Sequence, residues 1–311
     1  MWKKNVFYAG IIIAGSGLIG PPLALAAGLV FGLSTTHTFH TESRSLSKFL
    51  LQAAVVCLGF GMNLKEVVHA GASGFMYTAI SITFAMTLGI LFGKMLQVGK
   101  TQSLLISFGT AICGGSAIAA MGPVVQANDE EMAVSLGTVF VLNSVALLLF
   151  PTIGHLMHFS QTQFGLWAAL AIHDTSSVVG ASAKYGSEAL AIGTTVKLAR
   201  ALWIVPIVIA TAMLKKSKAK VSWPWFILYF CVAAVLASYV PHYLPESSGL
   251  FSALNRLGRA ALTVVLFLIG TGITRNTLKE VGTRPLVQGV LLWIVVASVS
   301  LWAIHAGWIA L

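Results

Sequence analysis

The chain has 311 residues, of which 57% are hydrophobic and 9% charged, and its mean hydropathy is +0.88. Soluble domains carry roughly 25% charged residues, so this composition excludes a soluble globular protein and points to a polytopic membrane protein. The formal net charge of +10 does not indicate nucleic acid, because Lys and Arg gather in short connections instead of lying along one face.

Apolar runs of about 20 residues, each long enough to cross a hydrocarbon core of roughly 30 Å as a helix, recur along the whole length. Ten can be drawn, near 6–33, 46–63, 70–93, 103–125, 132–157, 163–183, 189–214, 223–241, 251–273 and 285–310. The expected fold is all-α, a single integral membrane transporter domain over 1–311 with about ten transmembrane helices (9–11). The first run is interrupted by Gly20-Pro21-Pro22, and its 28 residues are too few for two full spans. It is either one span or a re-entrant hairpin. Cys57, Cys113 and Cys231 all sit in apolar runs without metal-like spacing, so no disulfide, metal site or cofactor is expected.

In the fourth run, Gly109-Thr110-Ala111-Ile112-Cys113-Gly114-Gly115-Ser116 places three glycines and two hydroxyls at mid-span. Glycine costs about 1 kcal/mol relative to alanine in a helix, so a discontinuity is expected there. The half-helix that follows would offer free N–H groups to an anion; close packing of small residues is the structural alternative. Asn143 adds a polar group to the fifth run. The sixth carries His173-Asp174-Thr175-Ser176-Ser177, in which Asp174 is the only carboxylate placed inside an apolar run. A charge at such depth is a functional candidate, although Asp followed by Thr-Ser-Ser is also good helix-capping chemistry. In the seventh run, Lys197 and Arg200 are three residues apart and share one helical face. Asp174 can neutralise only one of them, which leaves a positive charge for an anionic substrate. The alternatives are snorkelling to the interface or a structural buried pair with Asp174. Arg256 and Arg259, before the ninth span, suit lipid headgroups or capping.

The basic run Lys215-Lys216-Ser217-Lys218-Ala219-Lys220 is expected on the cytoplasmic side. With one crossing per run, Arg44/Lys48, Lys94/Lys100 and Arg275/Lys279/Arg284 fall on that side. The Asp129-Glu130-Glu131 connection and the 241–249 connection fall outside, and Lys3/Lys4 is the exception to the rule. Leu58-Gly59-Phe60-Gly61-Met62-Asn63-Leu64-Lys65-Glu66-Val67 is echoed by Ile269-Gly270-Thr271-Gly272-Ile273-Thr274 and, after three extra residues, Leu278-Lys279-Glu280-Val281. These segments should run in opposite directions, an inverted repeat of the kind secondary transporters use. A weaker echo links Cys113–Ala120 to His173–Gly180 and suggests two discontinuous helices.

The motifs Gly-Thr-Ala-Ile-Cys-Gly-Gly-Ser-Ala at 109–117, Phe164-Gly165-Leu166-Trp167 followed by Ile172-His173-Asp174-Thr175, and Val196-Lys197-Leu198-Ala199-Arg200 together resemble the YeiH-like sulfate exporter family of bacterial inner-membrane proteins. The resemblance covers nearly the whole chain and implies a multi-pass inner-membrane secondary transporter, with sulfate or sulfite as substrate. Gly115 departs from the alanine of the family pattern, and the N-terminal region is shorter than usual.

The leading expectation is thus secondary transport of a small inorganic or sulfur-containing anion. Cys113, Gly114, Gly115, Ser116, Asn143, His173, Asp174, Thr175, Ser176, Lys197 and Arg200 form its site, with a proton or sodium ion as coupling partner. Membrane lipid and a second copy of the chain, as a homodimer, complete the expected partners. A second transporter reading makes Asp174 the site of a sodium- or proton-coupled cation antiporter, with Lys197 as its internal competitor. An enzyme would need a nucleophile–base pair or a metal cluster at depth; Ser116 or Ser176 with His173 comes nearest, without a third group, so no enzyme is expected. The sequence contains no Gly-x-x-x-x-Gly-Lys-Ser/Thr motif to couple ATP.

Overall fold

A bilayer offers no partner for backbone N–H and C=O groups, so an apolar chain satisfies them within helices. In the computed structural model, which describes residues 2–34, 40–62, 64–215, 225–272 and 282–309, fourteen helices do this. They are α1 (Trp2–Gly15), α2 (Pro21–Ser34), α3 (His40–Gly59), α4 (Leu64–Met95), α5 (Lys100–Ala111), α6 (Gly115–Val125), α7 (Asp129–Leu156), α8 (Gln161–Ala171), α9 (Thr175–Tyr185), α10 (Ser187–Leu202), α11 (Ile204–Leu214), α12 (Trp225–Tyr243), α13 (Ser247–Gly272) and α14 (Thr283–His305). Polar connections set the starts: Asn128 with Glu131 and Ser160 with Gln163 form capping boxes before α7 and α8. Helices α10 and α11 are one span kinked at Trp203, where Pro206 has no N–H for the carbonyl of Leu202.

Among the described residues six helices are long and apolar enough to cross a membrane: Tyr77–Met95, Glu130–Leu156, Ser187–Leu214, Trp225–Tyr243, Ser247–Gly272 and Thr283–His305. These match six of the ten expected runs. The runs near 6–33, 103–125 and 163–183 are each divided into two short helices, and the apolar part of α3 is short, Phe49–Gly59.

The helices gather into two compact units, Met1–His69 with Pro224–Arg275, and Ala70–Trp223 with Asn276–Leu311. In the first, α1 and α2 form a hairpin. Phe7 and Phe31, similarly far from the turn at 16–20, have ring centroids 6.0 Å apart, and both helices pack against Val264, Phe267 and Leu268 of α13. Each has 14 residues, about 21 Å at 1.5 Å per residue, too short to span. The open choice for the first run is thereby settled as a hairpin, and Lys4 lies at the same end of it as Ser34.

Helices α3 and α13 pack antiparallel: Gly258 meets the carbonyl of Ala54, while Asn255 Nδ2, nearer the start of α13, donates to Leu58 O at 3.1 Å. Of the echoed segments, Leu58–Gly59 lie in α3 and Ile269–Gly272 in α13, so the antiparallel packing covers only the first residues of each. Gly59 rests on the Phe230 carbonyl of α12, and Gly270 rests on the Leu25 carbonyl of α2. The second halves of the echo, from 273 to 281, lie outside the described residues.

In the second unit, small residues again set the approach of helices. Gly89 and Gly93 of α4 seat Ser107 and Ser103 of α5, and Gln288 of α14 donates to Gly89 O and Ser103 Oγ, both at 2.9 Å. Gly165 of α8 faces the backbone of Ala189 and Gly193 in α10. That contact starts the parallel packing that carries Lys197 and Arg200 alongside the end of α8.

Candidate functional site

Both helix breaks fall where the sequence places them. Helix α5 ends at Ala111; Ile112, Cys113 and Gly114 follow, and α6 starts at Gly115. Gly114 has φ +68° and ψ −126°, a conformation open to glycine and strained for a side chain. Helix α8 ends at Ala171, and after Ile172, His173 and Asp174 the chain enters α9.

What the breaks produce differs from two through-running discontinuous helices. The start of α8 and the end of α9 are neighbours: Tyr185 OH donates to Phe159 O at 2.6 Å, and the rings of Phe164 and Tyr185 stack with centroids 3.8 Å apart. Helices α8 and α9 are thus a re-entrant hairpin with His173–Asp174 at its tip. Helices α5 and α6 fold back in the same way. Gly109 packs on Ile118, and Ile106, grouped with Thr138 and Leu142 around Gly289, lies level with the part of α7 that Gly115 faces, Leu136 and Phe140. Each arm has 11 or 12 residues, about 16–18 Å, or half of a hydrocarbon core. Because α7 runs from the end of α6 to the start of α8, the hairpins enter from opposite faces. This corrects the sidedness of the Asp129–Glu131 connection, which lies with Lys94 and Lys100 and not opposite them.

The two tips meet. A Cβ placed on Gly114 would stand 2.9 Å from His173 O and 3.4 Å from Asp174 Cβ, so only glycine allows the approach. Asn143 of α7 fastens the second tip, accepting from His173 N at 2.9 Å. At the first tip Cys113 Sγ lies 3.1 Å from Ser116 Oγ, with Cys113 buried and Ser116 exposed.

The charges take partners the sequence does not display. Asp174 caps α9: its carboxylate accepts from Ser177 N at 3.1 Å, from Ser177 Oγ at 3.3 Å and from Ser176 Oγ. Lys197 and Arg200 are fully buried, and neither forms an ion pair with Asp174. Lys197 Nζ donates to Ile172 O at 2.7 Å and Ala169 O at 3.4 Å. Arg200 Nε donates to Ala111 O at 2.6 Å, and Nη1 donates to Leu170 O at 2.7 Å and Ala169 O at 3.4 Å. Both cations therefore sit at the negative dipole ends of α5 and α8, on carbonyls that the breaks free from helical bonding, and Arg200 bridges the two hairpins. Snorkelling and a structural Asp174–Arg200 pair are both replaced by this arrangement.

Several buried polar atoms here have no hydrogen-bond partner among the described residues: Arg200 Nη2, Asn143 Nδ2, both ring nitrogens of His173 and Thr110 Oγ1. Arg200 Nη2 and Asn143 Nδ2 can only donate. Every sequence-predicted site residue lies at or beside this crossing, with Thr175 and Ser176 buried in the first turn of α9. Sequence reasoning missed the carbonyls of Ala111, Ala169, Leu170 and Ile172, which any residue type supplies, and the fold-back of each hairpin. The Phe164–Tyr185 spacing about the break was a usable signal for the latter. Among the described residues no group of three His, Cys, Asp or Glu side chains is placed to hold a metal ion.

A family described as "Conserved hypothetical protein 698" matches residues 9–289. Two relatives called "UPF0324 membrane protein" are similar at high identity. That of Bacteroides thetaiotaomicron is 48% identical over 290 residues, covering 93% of this chain and 87% of the relative. That of Porphyromonas gingivalis is 49% identical over 285 residues, covering 90% and 86%. A third, from Geobacter sulfurreducens, is 45% identical over 308 residues and covers 99% and 98%. No solved structure matches the chain.

Proposed function

The chain belongs to the UPF0324 family of multi-pass membrane proteins, and we propose that it is a secondary transporter of a small sulfate- or sulfite-like oxyanion, a carrier and not an enzyme. The observation that carries this reading is the tip-to-tip meeting of two hairpins around two buried cations and one carboxylate. Interrupted backbone at membrane depth is tolerated where it lines a ligand site or a cavity. The sign of the ligand follows from what is unsatisfied. Asp174 is engaged by its own helix end, whereas Arg200 and Asn143 keep spare donors and α6 starts without a side-chain cap. Lys197 and Arg200 act in this reading first by holding the tips and second by making the crossing net positive. Asp174 and His173 are the groups a proton gradient would address. The antiparallel α3–α13 pair supports, as part of the same reading, an inverted repeat relating the two ends of the chain.

The test is flux into liposomes containing the purified protein, with labelled sulfate or sulfite under an imposed pH or sodium gradient. Gradient-driven anion uptake is expected. Sodium or proton exchange that ignores every anion offered would replace this reading with the Asp174 cation antiporter.

A further inference from the structure

Away from the hairpins, a cavity of about 550 Å³ opens in the first unit where α3 and α12 end and α13 begins. Its polar wall comes from one helix: Ser248, Ser252, Asn255, Arg256 and Arg259 recur at three- and four-residue spacing on α13. Phe60 and Phe251, stacked with centroids 5.2 Å apart, form an apolar wall. The polar side is held in place. Asn255 is fixed by its bond to Leu58 O and accepts from Arg259 Nε at 3.1 Å, and Gly61 leaves room for it, because a Cβ there would run into the Asn255 amide.

Both arginines stand at exposed positions on α13, within the length of its candidate membrane span. A hydrocarbon core of roughly 20 residues counted back from Gly272 begins near residue 253, which places Arg256 and Arg259 inside its outer third. A charge there is costly unless it is paired or reaches polar surroundings. Among the described residues no carboxylate forms an ion pair with either, and Arg259 spends only Nε on Asn255. Two guanidinium groups, planar and able only to donate, and two serine hydroxyls that can also donate suit the recognition of phosphate-type oxyanions around one cavity.

The geometry points to an oxyanion site formed by Arg256, Arg259, Ser248 and Ser252, filled by the phosphate group of an anionic phospholipid or by a free oxyanion of the same chemistry. The site does not depend on the transport reading, because it shares no residue with the hairpin crossing.

Full-length protein purified in mild detergent supplies the test. Native mass spectrometry measures retention of phosphatidylglycerol against phosphatidylcholine, and calorimetry measures binding of inorganic phosphate, for wild type, Arg256→Gln/Arg259→Gln and the charge-matched control Lys100→Gln/Arg284→Gln, both exposed positions away from the cavity. Loss of one charge-assisted pair weakens binding about tenfold. A phosphatidylglycerol preference that falls about tenfold or more in the double variant and persists in the control assigns the site to lipid. Phosphate binding that follows the same pattern assigns it to a free oxyanion. Equal binding of both probes by wild type and double variant, or no lipid preference together with no phosphate binding in wild type, overturns the site. Arg256→Gln alone, at an exposed position, serves the same comparison if the double variant does not fold.

Discussion

Arg200→Met tests the role of the bridging cation most directly. The substitution keeps a long apolar stem and deletes the bonds to Ala111 O at 2.6 Å and Leu170 O at 2.7 Å, leaving a buried carbonyl on each hairpin without its donor. An unsatisfied buried carbonyl costs about 1–3 kcal/mol, so the pair amounts to about 2–6 kcal/mol. Part of this is returned, because the charged group no longer has to be kept out of water. A net loss of about 2–3 kcal/mol in the contact between the tips is the working figure. Cys113, buried at the first tip, reports on it: in a Cys57→Ser/Cys231→Ala background it is the only thiol, and labelling it requires the tip to open. At about 1.4 kcal/mol per factor of ten, labelling by a small maleimide should quicken about 30-fold or more. Arg200→Lys keeps the charge but not the fork that reaches two carbonyls at once, and should fall between. Wild-type labelling rates in Arg200→Met would refute the view that this residue ties the hairpins together.

Gly114→Ala combines a positive φ with a clash against His173 O, a penalty of about 1–3 kcal/mol for the backbone alone; anion uptake should be lost while Gly99→Ala, in open space, transports normally. Asp174→Asn keeps a good cap, so thermal stability should stay within about 0.5 kcal/mol of wild type and sulfate binding should persist or tighten while proton coupling disappears. A collapse in stability would show that the carboxylate charge itself holds α9. Lys197→Met should weaken calorimetric sulfate binding at least tenfold, and unchanged affinity would remove this cation from the site. Single cysteines at Lys100 and Glu130 should be labelled by an impermeant reagent from the same face; labelling of the two from opposite faces would mean that α5 and α6 run through the membrane.

Much of the site was legible because its residues are conspicuous against the composition. A carboxylate, two cations and a glycine cluster in apolar runs stand out at single-residue level, and all of them converge. The positions of both breaks were readable from Gly114-Gly115 and from Asp174-Thr175-Ser176-Ser177, since backbone strain and capping are local. The direction of the chain after each break was not, because hydropathy counts residues in an apolar layer and is blind to whether they go on or turn back. Two arms of 11 or 12 residues sum to the length of one span. The partners of Lys197 and Arg200 were unreadable for a different reason: they are main-chain carbonyls, exposed to side chains only once the breaks have formed.

Hairpins that enter from opposite faces also bear on the electric field. A through-running helix spreads insulating protein over the full thickness of the bilayer, whereas here the covalent path of each hairpin stops at mid-depth and the last separation is the few ångströms between Gly114 and His173. If water follows each hairpin inward in the proposed transport cycle, the membrane potential drops mostly across that thin septum. An elementary charge passing it would then exchange nearly the whole of roughly 2.3 kcal/mol per 100 mV within a movement no longer than a side chain, so small shifts at the tips would suffice to couple voltage to flux.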